Sequence, residues 1–203
     1  MSSEWLYTDK VKDHFMHPRN VLLNEEGFEP DGRGVIGNIK CGDEMVMLIK
    51  VDKAKGIITD CKWKTYGCAS AIASTSVLSE LAVGKSLEEA YRLSSHDIAR
   101  SLGGLPEHKI HCSVLGDKAL RAAIEDYYIK HGMADKVKKE KEHIICQCLG
   151  ITDLEIENAV LEGARTYLEL QEHTKICTVC GKCKEKSIEL LEEYKAKHFS
   201  QTI

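Results

Sequence analysis

Nine cysteines are spread unevenly along this 203-residue chain, and five of them lie close together in its last third. Cys146 and Cys148 are separated by one residue in the stretch HIICQCLGITD, and the later stretch KICTVCGKCKEKS contains Cys177, Cys180 and Cys183. Four thiolates drawn from two such groups are the ligand set of a tetrahedral zinc site or of an iron–sulfur cluster. We therefore interpret this segment as the binding site of a metal ion or cluster.

The spacing separates the two metals only in part. Zinc sites favour two to four residues between paired cysteines, and the single residue between Cys146 and Cys148 is unusual for them. A 2Fe-2S rhomb offers two iron atoms, so cysteines close in sequence can serve it without crowding one tetrahedron. The residues alone give the iron–sulfur cluster a lead and leave zinc open.

The same segment resembles a known family. CQCLGITDLEIENAV followed by CGKCKEKSIELL is similar to the bacterioferritin-associated-ferredoxin type of 2Fe-2S domain, a small helix–turn–helix fold. Cys177 falls where that family usually has no ligand, whereas Gly181 and the helix expected after Cys183 favour the downstream thiols. The resemblance implies a permanent 2Fe-2S cluster held by Cys146, Cys148, Cys180 and Cys183.

Composition excludes several classes of partner. The net charge is −4, so the chain does not attract nucleic acid or anionic lipid. The opening MSSEWLYTDK has no apolar core of a signal peptide, and no stretch approaches the roughly 18 apolar residues of a membrane span. We expect a cytoplasmic protein whose reduced cysteines bind metal rather than form disulfides.

Two regions differ in their hydrophobic pattern. EMVMLIKVD and GIITDCKWKTYG alternate with a period of two around the turn KAKG, and GVIGNIK is expected as a third strand. Helical patterns follow, with Gly84 ending one helix, Ser86 and Glu89 forming a capping box, and Ser113 capping another helix. Strands followed by helices predict an α+β domain over residues 1–130, with a small antiparallel sheet.

A second, smaller domain is expected after a linker. Residues 131–143 are charged and nearly free of apolar anchors. Residues 144–203 predict a small all-α domain, with capping boxes at Thr152–Glu155 and Thr166–Glu169 and a last helix beginning near Lys184. Because so short a segment forms a weak hydrophobic core, bound metal is the expected stabiliser.

Three cysteines of the first region are widely separated in sequence. Cys41 lies in CGD, Cys68 in YGCASAIAS and Cys112 in KIHCS, each near the boundary of a predicted element. Cys68 and Cys112 directly precede predicted helices, where backbone N–H groups and the helix dipole favour a thiolate. Each alone would pass as a small buried hydrophobe, and the sequence assigns no role to Cys61.

A second resemblance connects these cysteines. YTDKVKDHFMHPRNV, CGDEMVMLIKV, KTYGCASAIASTS and LPEHKIHCS occur in the order found in the IscU/NifU family of iron–sulfur assembly scaffolds. His111 occupies the family's histidine position and is an alternate ligand, and Lys109 is the matching lysine. In that family three cysteines and one aspartate hold a transient cluster, which here implies Cys41, Asp43, Cys68 and Cys112.

The carboxylate suits a site that must release its cargo. Replacing one thiolate by a harder oxygen ligand weakens the grip on iron, and Asp43 fits that role. Without the family match, Asp43 would be read as a solvated loop aspartate and His111 as a surface residue.

Together the two regions resemble the first two parts of a NifU-type protein, without its third domain. The resemblance implies a non-enzymatic scaffold that builds iron–sulfur clusters from ferrous iron and sulfur supplied by a cysteine desulfurase, and transfers them to apo-proteins. The first site is also expected to accept an iron or zinc ion. LPEHK lacks the double proline used for chaperone docking, which weakens that expectation, and a homodimer stays open.

Two other classes of function remain as alternatives. A simple electron carrier explains the last 60 or so residues but leaves Cys41, Cys68 and Cys112 without a role. A structural zinc protein explains the number of cysteines but not the spacing of Cys146 and Cys148. An enzyme that uses Cys112 and His111 lacks a third, orienting group.

Overall fold

A computed structural model describes residues 7–24, 27–38, 43–106, 109–137 and 142–199, with the backbone alone at 38, 43 and 110–112. The chain divides into two compact units, Met1–Lys138 and Lys139–Ile203. No helix within the described ranges is both long and apolar enough to cross a membrane.

The first unit combines a small sheet with helices. Its strands, β1 (Gly32–Asn38), β2 (Asp43–Asp52) and β3 (Ile57–Thr65), form an antiparallel sheet in the order β1-β2-β3. Its helices are α1 (Asp9–Met16), α2 (Ala69–Ala82), α3 (Leu87–Tyr91), α4 (Ser95–Ser101) and α5 (Ile110–Lys130), followed by a 3₁₀ turn at Ala134–Lys136. The α+β class and the three strands expected from the sequence are confirmed.

Strand β2 forms the centre of the sheet and is covered on both faces. Met45, Met47 and Ile49 point into the main core and are at most 1% exposed. The residues between them, Val46 and Leu48, pack under Leu22 and Phe28 on the opposite face. The alternation follows from the two-residue period of a strand, and it fixes the register because a one-residue slip would exchange the two faces.

Two glycines allow α5 to lie directly on β1. A Cβ atom at Gly34 would lie 2.1 Å from the carbonyl oxygen of Ala119, and one at Gly32 would lie 2.2 Å from that of Ala123. Contact between the two backbones this close is available only to a residue without a side chain. The sheet and its longest helix are therefore fixed to each other at these two positions.

Local capping signals give most helix ends correctly. Ser86 and Glu89 form the predicted capping box of α3, and Gly84, with φ +84°, follows the end of α2. The prediction that Ser113 caps α5 is wrong, because the helix already begins at Ile110 and Ser113 is fully buried inside it. Directly before the helix the Lys109 N–H donates to the Pro106 carbonyl at 2.7 Å. Because α5 begins at Ile110, Cys112 lies within its first turn rather than before it.

The second unit packs three helices around a small core. They are α6 (Asp153–Leu161), α7 (Tyr167–Thr174) and α8 (Lys184–Phe199), and the capping boxes predicted at Thr152 and Thr166 are both present. Buried Glu157 of α6 hydrogen-bonds His198 of α8 at 2.8 Å, which ties the two helices together. Two short strands, β4 (Ile144–Cys146) and β5 (Ile151–Thr152), were not predicted because they are too short to show a periodic pattern.

Candidate metal centres

One end of the first unit's sheet gathers the predicted ligand positions. The last residue of β1, Asn38, pairs with Asp43 at the start of β2. The last residue of β3, Thr65, pairs with Met45, two positions beyond Asp43. The chain then reaches Cys68 three residues after β3 ends, so Asp43 and Cys68 belong to the same end of the sheet.

Helix α5 brings its first turn to this same end. Gly32 lies against Ala123, and Gly34, two residues further along β1, lies against Ala119, four residues earlier in α5. Strand and helix therefore run in opposite directions, and the carboxyl end of β1 leads toward the first turn of α5. His111 and Cys112 occupy that turn.

The predicted residues of this site are described to different extents. Cys41 lies outside the described residues, in the connection from β1 to β2, and the side chains of Asp43, His111 and Cys112 are not described. Cys68 is half-buried and is the N-cap residue of α2, as expected from its place before the helix. Its thiol does not cap the helix by a hydrogen bond, and Lys109 is the N-cap residue of α5.

The second centre is built from two loops of the second unit. Cys146 ends β4 and is 1% exposed, and the turn that follows holds Cys148 at the surface. In this turn the N–H of Leu149 donates to the Cys146 carbonyl at 3.3 Å, and Gly150 takes φ +69°. A left-handed residue at Gly150 lets the chain reverse into β5 within four residues.

The second loop connects α7 to α8 and carries the other three cysteines. Its backbone takes left-handed conformations at Lys175, Cys177 and Gly181, with φ of 61°, 60° and 71°. Cys183 immediately precedes α8 and its carbonyl accepts the N–H of Ser187 at 2.9 Å, as the first bond of that helix. The positive end of the α8 dipole therefore lies beside the Cys183 thiol, as the sequence predicted.

The five thiols of the second unit lie close to one another. The exposed pair, Cys148 and Cys180, has its sulfurs 3.3 Å apart. The half-buried pair, Cys177 and Cys183, has its sulfurs 2.7 Å apart, and Cys183 also hydrogen-bonds the buried Cys146 thiolate.

This arrangement bears on the choice between zinc and iron. The exposed Cys148 and Cys180 and the inner Cys146 and Cys183, which hydrogen-bond each other, form two pairs of thiols. Two pairs suit a 2Fe-2S cluster, in which each iron takes two thiolates, better than one tetrahedral zinc ion. The donor set of the second unit therefore fits the cluster that the sequence favours.

Backbone N–H groups favour the ionised form of the innermost thiol. Burial opposes ionisation of Cys146, but the N–H groups of Cys177 and Leu149 and the Cys183 thiol donate hydrogen bonds to its sulfur and lower its pKa. Burial raises the pKa of Cys183 to about 12, and its hydrogen-bonding contacts with the Cys177 and Cys146 sulfurs act in the same direction. Of Cys146 and Cys183, Cys146 is therefore the thiol whose pKa favours the thiolate form that binds metal.

In the exposed pair, Cys148 and Cys180, one thiol also has a lowered pKa and the other a raised pKa. The N–H of Lys182 donates to the Cys180 sulfur and, together with the thiol hydrogen bond from Cys148, lowers the pKa of Cys180. The pKa of Cys148 is raised, chiefly because its thiol is the donor to Cys180. N–H groups aimed at sulfur are the hydrogen bonds that orient thiolate ligands around a cluster.

The sequence predicts that Cys177 is not a ligand and assigns it no role. In the structure its sulfur lies 2.7 Å from that of Cys183, and its N–H donates to the Cys146 sulfur. The closeness of three cysteines in CTVCGKC was the available signal, but the spacing alone does not tell which thiols turn inward.

Comparison with known proteins identifies both units. Two units with separate thiol-bearing positions define a two-module iron–sulfur protein. The sequence matches the family model of the NifU-like N terminal domain over residues 6–134 and that of the BFD-like [2Fe-2S] binding domain over residues 144–193. Since the first match covers more than half of the chain, the protein belongs to the NifU-like family and carries a BFD-like 2Fe-2S domain.

Individual relatives agree with the family models. The nitrogen fixation protein NifU of a Nostoc species is 39% identical over 197 residues, which are 94% of this chain and 65% of that protein. The iron–sulfur cluster assembly scaffold protein IscU 1 of Archaeoglobus fulgidus is 49% identical over 140 residues, which are 68% of this chain and 88% of that protein. The chain thus spans somewhat less than two thirds of the NifU relative's length.

A solved structure is also similar. The putative iron–sulfur cluster assembly scaffold protein for the SUF system from Fervidobacterium islandicum AW-1 is 23% identical, with a TM-score of 0.42. The alignment covers 58% of this chain and 96% of the other, and the family assignment does not depend on it.

Proposed function

We propose that this protein is a scaffold on which iron–sulfur clusters are assembled and from which they are transferred to apo-proteins. The observation that carries the proposal is that one chain contains two units whose candidate metal ligands differ in kind. One unit combines cysteine positions with an aspartate at a sheet end, and the other gathers cysteines alone in two loops. Each unit matches the corresponding family model, and relatives bear the names NifU and IscU.

The first unit is the assembly site in this proposal, and the cluster built there is its cargo. A carboxylate ligand holds iron less tightly than a thiolate, so a mixed set allows release. An iron or zinc ion is accepted by the same donors. Lys109 and His111 stand beside the site on α5, with His111 as an alternate ligand. The ligand set is Cys41, Asp43, Cys68 and Cys112.

The second unit holds a permanent 2Fe-2S cluster, which supplies one-electron transfer when bound. The N–H groups of Cys177 and Leu149 orient the inner thiolate, and the N–H of Lys182 orients an outer one. The proposed ligands are Cys146, Cys148, Cys180 and Cys183.

Other components complete the reaction. The family resemblance points to a separate cysteine desulfurase as the source of sulfur, delivered as persulfide, and iron enters as the ferrous ion. Apo iron–sulfur proteins receive the product, and no enzymatic turnover is assigned to this chain. A reducing cytoplasm is the compartment that keeps these thiols available.

The test is cluster assembly and transfer by the full chain. Protein stripped of metal is supplied anaerobically with ferrous iron, L-cysteine and a cysteine desulfurase, and the visible absorption, iron and sulfide are followed. An apo-ferredoxin is then added and its activation is measured. We expect two populations of cluster, one transferred within minutes and one retained.

Matched cysteine variants sharpen this experiment. Cys68→Ala should abolish the transferable population and leave the retained one. Cys61→Ala is the control, because Cys61 lies in β3, is fully buried, and burial raises the pKa of its thiol to about 12. Equal loss in both variants would show that the effect is one of folding. A chain that holds its whole cluster content against the apo-acceptor would be an electron carrier rather than a scaffold.

A further inference from the structure

A fifth thiol lies inside the group that is expected to supply only four ligands. The Cys177 sulfur is 2.7 Å from that of Cys183 and 3.6 Å from the Ser187 hydroxyl oxygen. The Tyr167 hydroxyl also hydrogen-bonds Cys177. Cys177 is therefore surrounded by polar groups of α7 and α8, and it is only half-buried.

The fold holds Cys177 in this place. Ile176, directly before it, is fully buried, and the Gln171 side-chain amide donates to the Ile176 carbonyl at 2.9 Å. The Thr174 hydroxyl accepts the Ile176 N–H at 3.2 Å. Cys177 itself takes φ 60°, a left-handed conformation that is unfavourable for a residue with a side chain. An anchored and locally unfavourable backbone fixes the direction of this thiol more firmly than that of an ordinary loop cysteine.

The arrangement of the thiols divides the five cysteines between two irons. The exposed Cys148 and Cys180 form one pair. Cys146 is buried and is within hydrogen-bonding distance of Cys183, so these two form the inner pair. Cys177 stands on the inner side, with its thiol on Cys183 and its N–H on Cys146.

Distances restrict how many inner thiols bind at once. A tetrahedral metal with metal–sulfur bonds of about 2.3 Å keeps its thiolates about 3.8 Å apart. The Cys177 and Cys183 sulfurs, 2.7 Å apart, are about 1.1 Å too close for both to ligate one iron, whereas the Cys148 and Cys180 sulfurs, 3.3 Å apart, need to separate by only about 0.5 Å. One of Cys177 and Cys183 binds, and the other remains next to it as a thiol.

We infer that Cys177 is an alternate ligand of the iron that Cys146 and Cys183 bind, and that Cys177 exchanges with Cys183 at this iron. In an exchange the incoming thiol gives up its proton as its sulfur–iron bond forms, and the departing thiolate takes up a proton as its bond breaks. No electrons are transferred, and the cluster keeps four thiolates. The inference rests on the proposed 2Fe-2S site in this unit and adds a residue to it.

Substitution of each thiol in turn tests the exchange. The full chain carries Cys68→Ala throughout, so that the C-terminal cluster dominates the signal, and it is reconstituted anaerobically. Iron, sulfide, visible circular dichroism and the electron paramagnetic resonance of the reduced cluster are measured. Cys183→Ala should keep at least half of the parent's cluster with an altered spectrum, because Cys177 takes the vacant position. Cys177→Ala should keep a cluster with the parent's absorption.

Two controls give the experiment its direction. Cys180→Ala should lose the cluster, since the exposed pair has no comparable thiol beside it among the described residues. The double variant Cys177→Ala/Cys183→Ala should also lose it. If Cys183→Ala is as empty as the double variant, or if Cys180→Ala retains as much cluster as Cys183→Ala, the exchange is overturned. Loss of cluster from the parent itself would instead overturn the proposed function.

A measurement on the unsubstituted chain covers the case in which Cys183→Ala fails to fold. The cluster-loaded protein is alkylated briefly under native conditions and its cysteines are mapped by peptide mass spectrometry. Exchange predicts partial labelling at both Cys177 and Cys183, with occupancies that add up to about one thiol. Full labelling of Cys177 with none on Cys183 would show that Cys177 never binds iron.

Discussion

Substitution of Gly34 by alanine should push β1 away from α5, the two elements that carry the proposed assembly site. The new Cβ would lie 2.1 Å from the carbonyl oxygen of Ala119, 2.6 Å from the amide nitrogen of Ala123 and 3.1 Å from the carbonyl carbon of Ala122. All three atoms belong to the α5 backbone, so no side-chain rotation relieves the contact. Strand β1 must retreat by about 1.3 Å to reach an ordinary separation of 3.4 Å.

The energetic cost follows from this retreat. Overpacking of a core costs about 1–3 kcal/mol, and a clash that only backbone can relieve belongs at the upper end. We expect Gly34→Ala to lower the free energy of unfolding of the first unit by about 3 kcal/mol, a large share of a domain's usual stability of about 5–15 kcal/mol. Because β1 leads into the segment with Cys41 and the first turn of α5 contains Cys112, binding of zinc or iron at the proposed first site should weaken as well.

Urea unfolding followed by tryptophan fluorescence measures the effect. Trp63 in β3 is 2% exposed, so its emission reports on the first unit, and the other tryptophan, Trp5, lies outside the described residues. The matched control is Gly116→Ala within α5. There the new Cβ has one tight contact, with the end of the Leu78 side chain at 3.2 Å, while Met45 and Thr75 lie at an ordinary 3.9 Å. Helix propensity favours alanine over glycine by about 1 kcal/mol.

The two substitutions should therefore change the free energy of unfolding by clearly different amounts, with a large loss expected only for Gly34→Ala. Gly116→Ala should unfold within about 1 kcal/mol of the parent, or at higher urea. If Gly34→Ala unfolded at the same urea concentration as the parent, the close contact between β1 and α5 would not be a constraint and the reasoning would be wrong.

Three further predictions concern charge, capping and release. Burial raises the pKa of Asp117 to about 6, against 3.8 for an ordinary aspartate, even though Arg121 acts in the opposite direction. A raised pKa means that folding favours the protonated carboxyl, so the parent loses stability as the pH rises from 4 to 7. Urea titrations across this range should show the free energy of unfolding of Asp117→Asn rising relative to the parent by up to about 3 kcal/mol. Thr152→Ala removes the cap of α6 and should cost the second unit about 1 kcal/mol by thermal circular dichroism, with the Trp63 transition unchanged. Asp43→Ala should slow cluster transfer to an apo-acceptor, and an unchanged or faster rate would count against its role in release.

Local patterns determined much of this protein. The capping boxes at Ser86, Thr152 and Thr166 were predictable because each depends on side chains three residues apart. The strands were predictable because β2 and β3 alternate with a period of two around a short turn. The cysteine spacings, with their resemblance to two families, were enough to predict an iron–sulfur protein.

Contacts between distant segments decided the rest. Gly32 and Gly34 look like ordinary strand glycines until α5 is laid across them. The start of α5 at Ile110 was not predictable from the local capping signal of Ser113, because that residue is buried inside the helix. Strand β5 has only two residues, too few to show a periodic pattern, and the turn around Cys148 sets its pairing with β4.

The second metal centre shows the same division most clearly. Sequence alone predicted that cysteines of two loops share one site, since their types and spacing carry that chemistry. Which thiols turn inward is set by the left-handed backbone at Cys177, the burial of Ile176 and the position of α8 beside Cys183. These are consequences of how three helices pack around a small core, and a linear spacing does not contain them.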